Sequence, residues 1–289
     1  MDRKEQLEFR RHLGRCATLA CLMEASAPKV GNVHRGADFA DLTFYDFCAA
    51  AVEIAPPLER VAELGVGAAI LQAVQATSRA TRSNPNLGIA LLLAPLAAVD
   101  DAAPLSREAV RQVLGRLTPA DAGATYQAIR LAAPGGLGSA ESMDVQGPAP
   151  DSLLAAMQAA AERDQVAEQY ATDFAYVLDV LARNLERHCA EMGWSRGIVH
   201  VQLISLSQRG DSLIRRKCGD RVAEEARDRA AHALDQGAPD SESYHYALSE
   251  LDFWMRSDGN RRNPGATADL IAAALFGLLR DGRLDIRHN

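Results

Sequence analysis

The chain contains no apolar run long enough to cross a bilayer. The longest candidate covers residues 89–99 and is interrupted by Pro95. The residues after Met1 are mostly charged, and no apolar segment of the signal-peptide type follows them. We therefore expect a soluble, cytoplasmic protein without a membrane partner.

A basic surplus and a metal-binding cysteine pattern are also missing. The chain carries 31 basic and 38 acidic residues and a net charge of −7. Proteins that bind nucleic acid usually show the opposite balance, so this composition disfavours a nucleic-acid partner. The 5 cysteines are odd in number and match no zinc-binding spacing, so we expect structural, mostly buried free thiols.

Strand-forming residues and aromatics are sparse, whereas alanine and leucine dominate. Aromatic residues make up only 5% of the 289 positions. This composition predicts an all-α fold, with residues 1–289 forming a single multi-helix domain. Apolar spacing and start signals predict helices over 6–27, 42–54, 61–80, 84–96 and 118–133, with a shorter one after Ser106.

Three further segments are harder to assign. Residues 154–192 contain neither proline nor glycine, which predicts one long helix or two joined by a kink. Residues 197–206 have a strand-like composition but are equally consistent with a buried helix. Residues 134–150 form a long loop rich in Gly and Pro: either a lid that brings Glu141 and Asp144 to a pocket, or a flexible tether.

A polar turn follows the first apolar helix, which Pro28 ends. Its thirteen residues from 29 to 41 include two cations, an amide, an imidazole and two carboxylates: Lys29, Arg35, Asn32, His34, Asp38 and Asp41. A solvated loop before a capped helix would explain this density by itself. The alternative is a site for a phosphate-bearing ligand, with the acidic groups left for a metal ion or a proton.

Two Asn-Pro pairs begin later helices. Asn84-Pro85-Asn86 precedes Gly88, and Asn263-Pro264 precedes Gly265 and Ala266. Helix capping explains both pairs if each is taken alone. The small residues that follow would, however, leave backbone amides open to phosphate oxygens. Asp269 lies in the second of these helices, in an otherwise apolar run.

A fourth polar cluster lies between Gly210 and Gly219. Asp211 can cap a helix, and Arg215 follows four residues later, so an exposed ion pair is the simplest interpretation. Together with Lys217 and the other clusters, these residues suit a polyphosphate bound with Mg²⁺. The sequence lacks a P-loop, a dinucleotide-binding glycine fingerprint and a kinase signature, so helix ends and side chains would handle the phosphates.

These segments resemble the triphosphoribosyl-dephospho-CoA synthase family. The matching segments are Glu24 with residues 28–31, then residues 41–44, 211–217 and 263–270. The resemblance implies an all-helical enzyme that transfers the triphosphoribosyl group of ATP to the 2′-hydroxyl of 3′-dephospho-CoA and releases adenine. It implies ATP and dephospho-CoA, or a related acceptor, as partners and Mg²⁺ as cofactor.

The polar clusters and the resemblance together give expected roles to individual residues. The expected catalytic residues are Glu24, Asp41 and Asp211. The expected metal ligands are Asp38, Asp41 and Asp269. The expected ATP- or substrate-binding residues are Lys29, Asn32, His34, Arg35, Asn84, Asn86, Arg215, Lys217, Asn263 and Thr267.

Two other functions stay open at this point. One is a related ribosyl or phosphoryl transferase that makes another cofactor, of the pterin type. The other is a non-catalytic helical protein that binds nucleotides. The sequence does not decide the oligomeric state, although a homodimer is consistent with its apolar helical faces.

Overall fold

The described part of the chain is built from helices and contains no strand apart from one isolated bridge between His34 and Ala37. The structure is a computed structural model and describes residues 3–81, 85–100, 103–133 and 143–284. The helices are α1 (Arg3–Ser26), α2 (Phe44–Glu53), α3 (Ala55–Glu59), α4 (Val61–Leu64), α5 (Val66–Ala80), α6 (Leu87–Ala97), α7 (Arg107–Leu114), α8 (Pro119–Ala132), α9 (Leu153–Ala160), α10 (Gln165–Ala171), α11 (Ala182–Met192), α12 (Trp194–Arg209), α13 (Ser212–Cys218), α14 (Asp220–Asp235), α15 (Glu242–Arg256) and α16 (Gly265–Arg280), with a turn of π-helix at Tyr176–Leu181.

The all-α prediction is confirmed, and the local start signals explain several helix ends. Thr43 and Thr118 each form a reciprocal capping box with the aspartate three residues later. Ser106 caps α7 as predicted. Pro28 lies just beyond the last residue of α1.

The prediction of one long or once-kinked helix over residues 154–192 is wrong. Asp164 accepts hydrogen bonds from the amides of Val166 and Ala167 and so begins a separate helix, α10. Asp173 and Phe174 then adopt left-handed backbone angles, with φ of 54° and 60°, before the π-helical turn. Neither break requires proline or glycine, which is why the composition did not reveal them.

Two smaller boundaries also differ from the prediction, and the open choice between strand and buried helix for residues 197–206 is decided. Pro56 and Pro57 lie in the first turn of α3 and do not simply end the preceding helix, because proline is tolerated there. Gly65, with φ of 82°, divides the predicted 61–80 helix into α4 and α5. The strand-like residues 197–206 lie in the buried helix α12, which packs against α11 and α14.

The cysteines are free thiols, and Cys16, Cys21 and Cys189 are buried. Burial raises the pKa of Cys16 to about 11 and that of Cys189 to about 12. Cys48 and Cys218 are partly exposed, so burial accounts for only three of the five.

Helix α16 runs through the main hydrophobic core and packs against α1 and α6. Nearly every residue of α16 is buried, and α6 is buried from Ile89 to Ala97. A second, smaller apolar cluster joins Val30 to residues of α12, α14 and α15. No helix among the described residues is long and apolar enough to span a membrane. The N-terminus of α16 emerges from this core next to α13 and the polar turn.

The described end of the long loop, residues 143–150, is attached to α8. The hydroxyl of Tyr126 donates to the carbonyl oxygen of Met143 at 2.8 Å. The guanidinium of Arg130 donates to the carbonyl oxygens of Val145 at 2.6 Å and Gly147 at 2.5 Å. Glu141 lies outside the described residues, so the lid stays a prediction.

The contact between α5 and α8 predicts opposite effects of two glycine substitutions. A methyl group at Gly67 would overlap backbone atoms of Asp121, whereas Gly123 has nothing within 4 Å of an added methyl group. We expect Gly67→Ala to lower the free energy of unfolding by about 1–3 kcal/mol. The control, Gly123→Ala, should raise it by about 0.5–1 kcal/mol. Equal effects in denaturant titrations would contradict the close packing.

Candidate active site

One buried carboxylate, that of Asp211, joins the N-termini of two helices. Its Oδ1 accepts hydrogen bonds from the amides of Leu213 (2.9 Å) and Ile214 (3.1 Å) in α13. Its Oδ2 accepts from the amide (2.7 Å) and the hydroxyl (2.8 Å) of Thr267 in α16. Removal from water raises the pKa of Asp211, although these four donors oppose that shift. Asp211 therefore holds α13 and α16 in a fixed relation.

This arrangement replaces the expected cap of α16. The side chain of Asn263 makes no capping hydrogen bond to α16, and the residue at the cap position is Pro264. The carboxylate of Asp211 supplies that bond from a distant part of the chain. The Oδ1 atom of Asn263 instead accepts from Nδ2 of Asn32 at 2.6 Å.

Asp269 lies in the first turns of α16, beside Gly88. It is densely surrounded by protein atoms and yet keeps part of its surface open to solvent. Removal from water raises its pKa well above the usual range, and the nearby carboxyl groups of Glu24, Asp211 and Asp164 raise it further. Arg216 is the cation that opposes this shift. Asp269 is thus a carboxyl group whose negative charge is poorly compensated.

Glu24 and Lys29 form an ion pair inside the protein. The distance from Lys29 Nζ to Glu24 Oε1 is 2.8 Å, and the two side chains are 0% and 3% exposed. The ammonium also donates to the main-chain carbonyl oxygen of Glu24, in the last turn of α1. Lys29 therefore binds the end of α1 and does not present its charge at the surface, where a triphosphate contact would need it.

The turn after Lys29 is fixed by the fully buried side chain of Gln202 in α12. Its Nε2 donates to the carbonyl oxygen of Val30 (2.9 Å) and to Oδ1 of Asn32 (2.8 Å), and its Oε1 accepts from the amide of Val30 (3.0 Å). Asn32 thus has both ends of its amide bonded within the protein, to Gln202 and to Asn263. These contacts give Asn32 a structural role in addition to any contact with a ligand.

Helix α15 holds the same turn from the other side. Asp252 Oδ1 accepts the amide hydrogen of Gly31 at 2.7 Å, and Arg256 donates to the carbonyl oxygen of Asn32 at 2.5 Å. Asp252 and Arg256 pair with each other at 2.8 Å. Gly31 has a φ of 70° and lies against Met255, so both its backbone conformation and its packing favour glycine.

The outer part of the turn is more open. His34 Nδ1 accepts the amide hydrogen of Gly36 at 3.1 Å, which places the proton of the neutral ring on Nε2. Removal from water and the charge of Arg256 lower the pKa of His34. Asp38 Oδ1 accepts the amide hydrogen of Phe44 at 2.6 Å, and Arg35 and Asp41 are exposed.

Helix α13 carries three consecutive cations with different surroundings. Arg215 is exposed and pairs with Asp220 at 3.2 Å, and Arg216 pairs with Asp164 at 3.2 Å. Lys217 is half-buried, and its ammonium has neither a hydrogen bond nor an ion pair within the described chain. Removal from water and the charge of Arg216 lower its pKa, while Asp211 and Asp41 oppose the shift.

A cavity of about 370 Å³ opens beside this cluster. Asp164 and Asp211 border it, and Arg209, Ser212 and Arg215 line its other sides. Arg209 is paired with Glu168 at 2.5 Å, so this cation is already compensated. The cavity provides space for part of a ligand next to Asp211.

The structure brings together many, but not all, of the predicted site residues. Around the start of α16 lie Glu24, Lys29, Asp211, Thr267 and Asp269, with Asn32 and Asn263 bonded nearby and Asp41 near Lys217. Arg35 is exposed, and Arg215 forms a surface ion pair with Asp220, not with Asp211 as the spacing of four residues suggested, because the Asp211 carboxylate is occupied by α13 and α16. Asn86 is buried at the start of α6, and Asn84 lies outside the described residues.

The predicted metal ligands do not form a ready-made metal site. Within the described ranges, no group of three or more His, Cys, Asp or Glu side chains is arranged to hold a metal ion. Asp38 is engaged at the start of α2, and of the three predicted ligands only Asp269 is in contact with Gly88 in the described residues.

Five residues around the site were missed by sequence reasoning: Asp164, Gln202, Arg216, Asp252 and Arg256. The spacing of Asp252 and Arg256 by four residues on one helix was a readable signal. Asp164 and Gln202 bond to segments that are far away in the sequence, so no local spacing indicated their roles.

Comparison with known proteins gives a consistent result. The sequence model of the CitG family, described as ATP:dephospho-CoA triphosphoribosyl transferase, matches residues 10–286. The chain is also similar to a crystal structure from Archaeoglobus fulgidus, proposed to be a triphosphoribosyl-dephospho-CoA synthase. That similarity has a TM-score of 0.63 and 27% sequence identity and covers 82% of this chain and 99% of the other. No curated protein matches the chain significantly.

The buried ion pair predicts a large loss of stability when its cation is removed. Lys29→Met would leave the charge of Glu24 buried without a partner, so we expect unfolding to become easier by about 3–5 kcal/mol. As a control, Arg107→Ala removes one member of the exposed pair with Asp179 at 3.8 Å and should cost under about 1 kcal/mol. Similar losses for the two variants in urea titrations would show that the Lys29 pair is not buried.

Proposed function

Because the chain belongs to the family of ATP:dephospho-CoA triphosphoribosyl transferases, we propose that the cluster of residues around Asp269 at the start of α16 is its active site. The enzyme transfers the triphosphoribosyl group of ATP to the 2′-hydroxyl of 3′-dephospho-CoA and releases adenine. The observation that carries the proposal is that four segments far apart in sequence, α1 with its turn, α6, α13 and α16, meet around Asp269. The family match does not favour the pterin-type alternative.

The reaction places specific demands on these residues. The bond from the ribose C1′ to the adenine nitrogen breaks, and a bond from C1′ to the acceptor oxygen forms. A carboxylate must accept the hydroxyl proton, and the departing adenine must gain a proton. Positive charge develops at C1′ in the oxocarbenium-like transition state, so nearby carboxylates would stabilise it.

We assign the base to Asp269. The oxygens of Asp211 are occupied by four protein donors, and Glu24 is bound to Lys29. Asp269 has no hydrogen bond or ion pair within the described chain and keeps an opening to solvent. A raised pKa makes its carboxylate a stronger base, provided that the working pH leaves it ionised.

We assign the triphosphate to the cations of α13, with Lys217 as the main contact. Its ammonium lacks a partner in the described part of the chain, so a phosphate oxygen would supply one. Arg216 lies next to it and is only partly compensated by Asp164. Lys29 holds Glu24 in place, and Glu24 and Asp211 position the neighbouring residues.

The donor set fits Mg²⁺ held mainly by the substrate. This ion prefers oxygen ligands and usually combines one or two carboxylates with phosphate oxygens and water. Asp41 is exposed near Lys217 and would be the protein ligand. When bound, Mg²⁺ would neutralise triphosphate charge. The homodimer and the cytoplasmic location remain predictions.

The direct test is incubation of the protein with ATP, MgCl₂ and 3′-dephospho-CoA. We expect adenine release that depends on dephospho-CoA and a product whose mass has gained the triphosphoribosyl group. Adenine release with a different acceptor only, or nucleotide binding without turnover, would contradict the assignment.

In this assay, Lys217→Ala should raise the KM for ATP by about tenfold or more, because one charged phosphate contact is lost. The control is Arg227→Ala, which removes an exposed cation of α14 outside the cluster and should change the KM less than about threefold. If both variants behave alike, Lys217 has no special role in binding the triphosphate.

Replacing Asp269 should change both the stability of the protein and its activity. A carboxyl group with a raised pKa in the folded state contributes stability at low pH, below its unfolded pKa, and that contribution is lost as the pH rises through the folded pKa. Asp269→Asn should therefore raise the free energy of unfolding at pH 8, because the cost of ionising this buried carboxyl group is removed. It should also abolish transfer, whereas wild-type activity should increase with pH as Asp269 ionises. An Asp269→Asn variant that is less stable than wild type and still active would contradict both the raised pKa of Asp269 and its role as the base.

A further inference from the structure

Gly88 lies directly against the carboxyl group of Asp269. Gly88 is the second residue of α6, and a methyl group added to it would overlap both Oδ2 and Cγ of Asp269. The carboxyl group therefore occupies the space that any side chain at position 88 would need.

Neither helix can move away to make room. Helix α6 is buried over Ile89–Ala97 in the main core and packs on α16. The backbone of α16 near Asp269 is fixed, since the amide and hydroxyl of Thr267 are bonded to Asp211. Rotation of the short Asp269 side chain is consequently the easiest response to a larger residue at position 88.

We propose that Gly88 is a positioning residue: the absence of a side chain there fixes the carboxylate of Asp269 in the orientation that accepts the proton of the acceptor hydroxyl. This inference rests on the proposed function, in which Asp269 is the base. General-base catalysis needs the carboxylate within hydrogen-bonding reach of that proton, so a small rotation reduces the rate without weakening substrate binding.

A different role for Gly88 would give a different kinetic result. Glycine in the first turn of a helix can also leave amides open to phosphate oxygens. A substitution would then raise the KM for ATP and leave the turnover of bound substrate nearly unchanged. The two roles are separated by measuring kcat and KM in the same variant.

The test is Gly88→Ala, with Gly277→Ala as a matched control. Gly277 lies in α16, where an added methyl group would meet only the end of the Leu105 side chain at 3.3 Å. We expect Gly88→Ala to lower kcat by about a hundredfold, with the KM for ATP changed less than twofold and the pH dependence of kcat shifted. Gly277→Ala should keep wild-type kinetics. A Gly88→Ala kcat within twofold of wild type, or a rise in KM alone, would overturn the inference.

A double substitution keeps the test decisive if Gly88→Ala folds poorly. Asp269→Ala removes the carboxyl group that the new methyl group would strike. Gly88→Ala should therefore lower Tm in the wild-type background and have little effect in the Asp269→Ala background. Equal losses in both backgrounds would overturn the inference.

The outcome for Asp269→Asn separates the two levels of the proposal. Full activity of that variant would refute Asp269 as the base, and the role of Gly88 would fail with it. An inactive Asp269→Asn variant beside a fully active Gly88→Ala variant would refute only the positioning role.

Discussion

The carboxylate of Asp211 determines the geometry of the site, because it accepts hydrogen bonds from the first turns of two helices at once. One of these helices, α13, carries Arg216 and Lys217, and the other, α16, carries Asp269. Helix N-termini favour negative charge, and four donors compensate for much of the cost of removing this group from water. The cations proposed to hold the triphosphate and the proposed base are therefore placed relative to each other by a single side chain.

The charges around that carboxylate divide into compensated and uncompensated groups. Lys29 neutralises Glu24, so this pair stabilises the framework, whereas Arg216 contacts Asp164 through Nη1 alone and its Nε has no hydrogen-bond partner in the described residues. Asp269 and Lys217 lack such partners in the described ranges, and burial shifts the pKa of each toward its neutral form. The two substrates would supply what each of them lacks, since the triphosphate of ATP would pair with Lys217 and the acceptor hydroxyl would donate to Asp269. The division explains how a densely charged site remains folded and still has two groups available for chemistry.

Sequence reasoning predicted the helical class, several caps and the segments that converge, because those features follow from local spacing and composition. It predicted that Lys29 belongs to the site but did not predict that its side chain is buried. The burial of an ammonium group depends on a partner that only the tertiary fold brings close. It missed Gln202, which bonds to a turn about 170 residues earlier in the chain. It also missed the break at Asp173 and Phe174, where ordinary residues adopt left-handed angles. For Lys29 and Gln202 a contact with a distant segment outweighed the local preference.

The attachment of residues 143–150 to α8 has a consequence for how freely that segment can vary. Among the described residues, Tyr126 and Arg130 donate to main-chain carbonyl oxygens, those of Met143, Val145 and Gly147. Every amino acid supplies such a carbonyl group, so these bonds do not depend on side-chain identity, although the left-handed angle at Met143, with φ of 53°, disfavours β-branched residues at that position. Substitutions can therefore change the solvent-facing side chains of this segment, and with them its contacts to other molecules. The hydrogen bonds from two side chains of α8 would still hold its backbone in place.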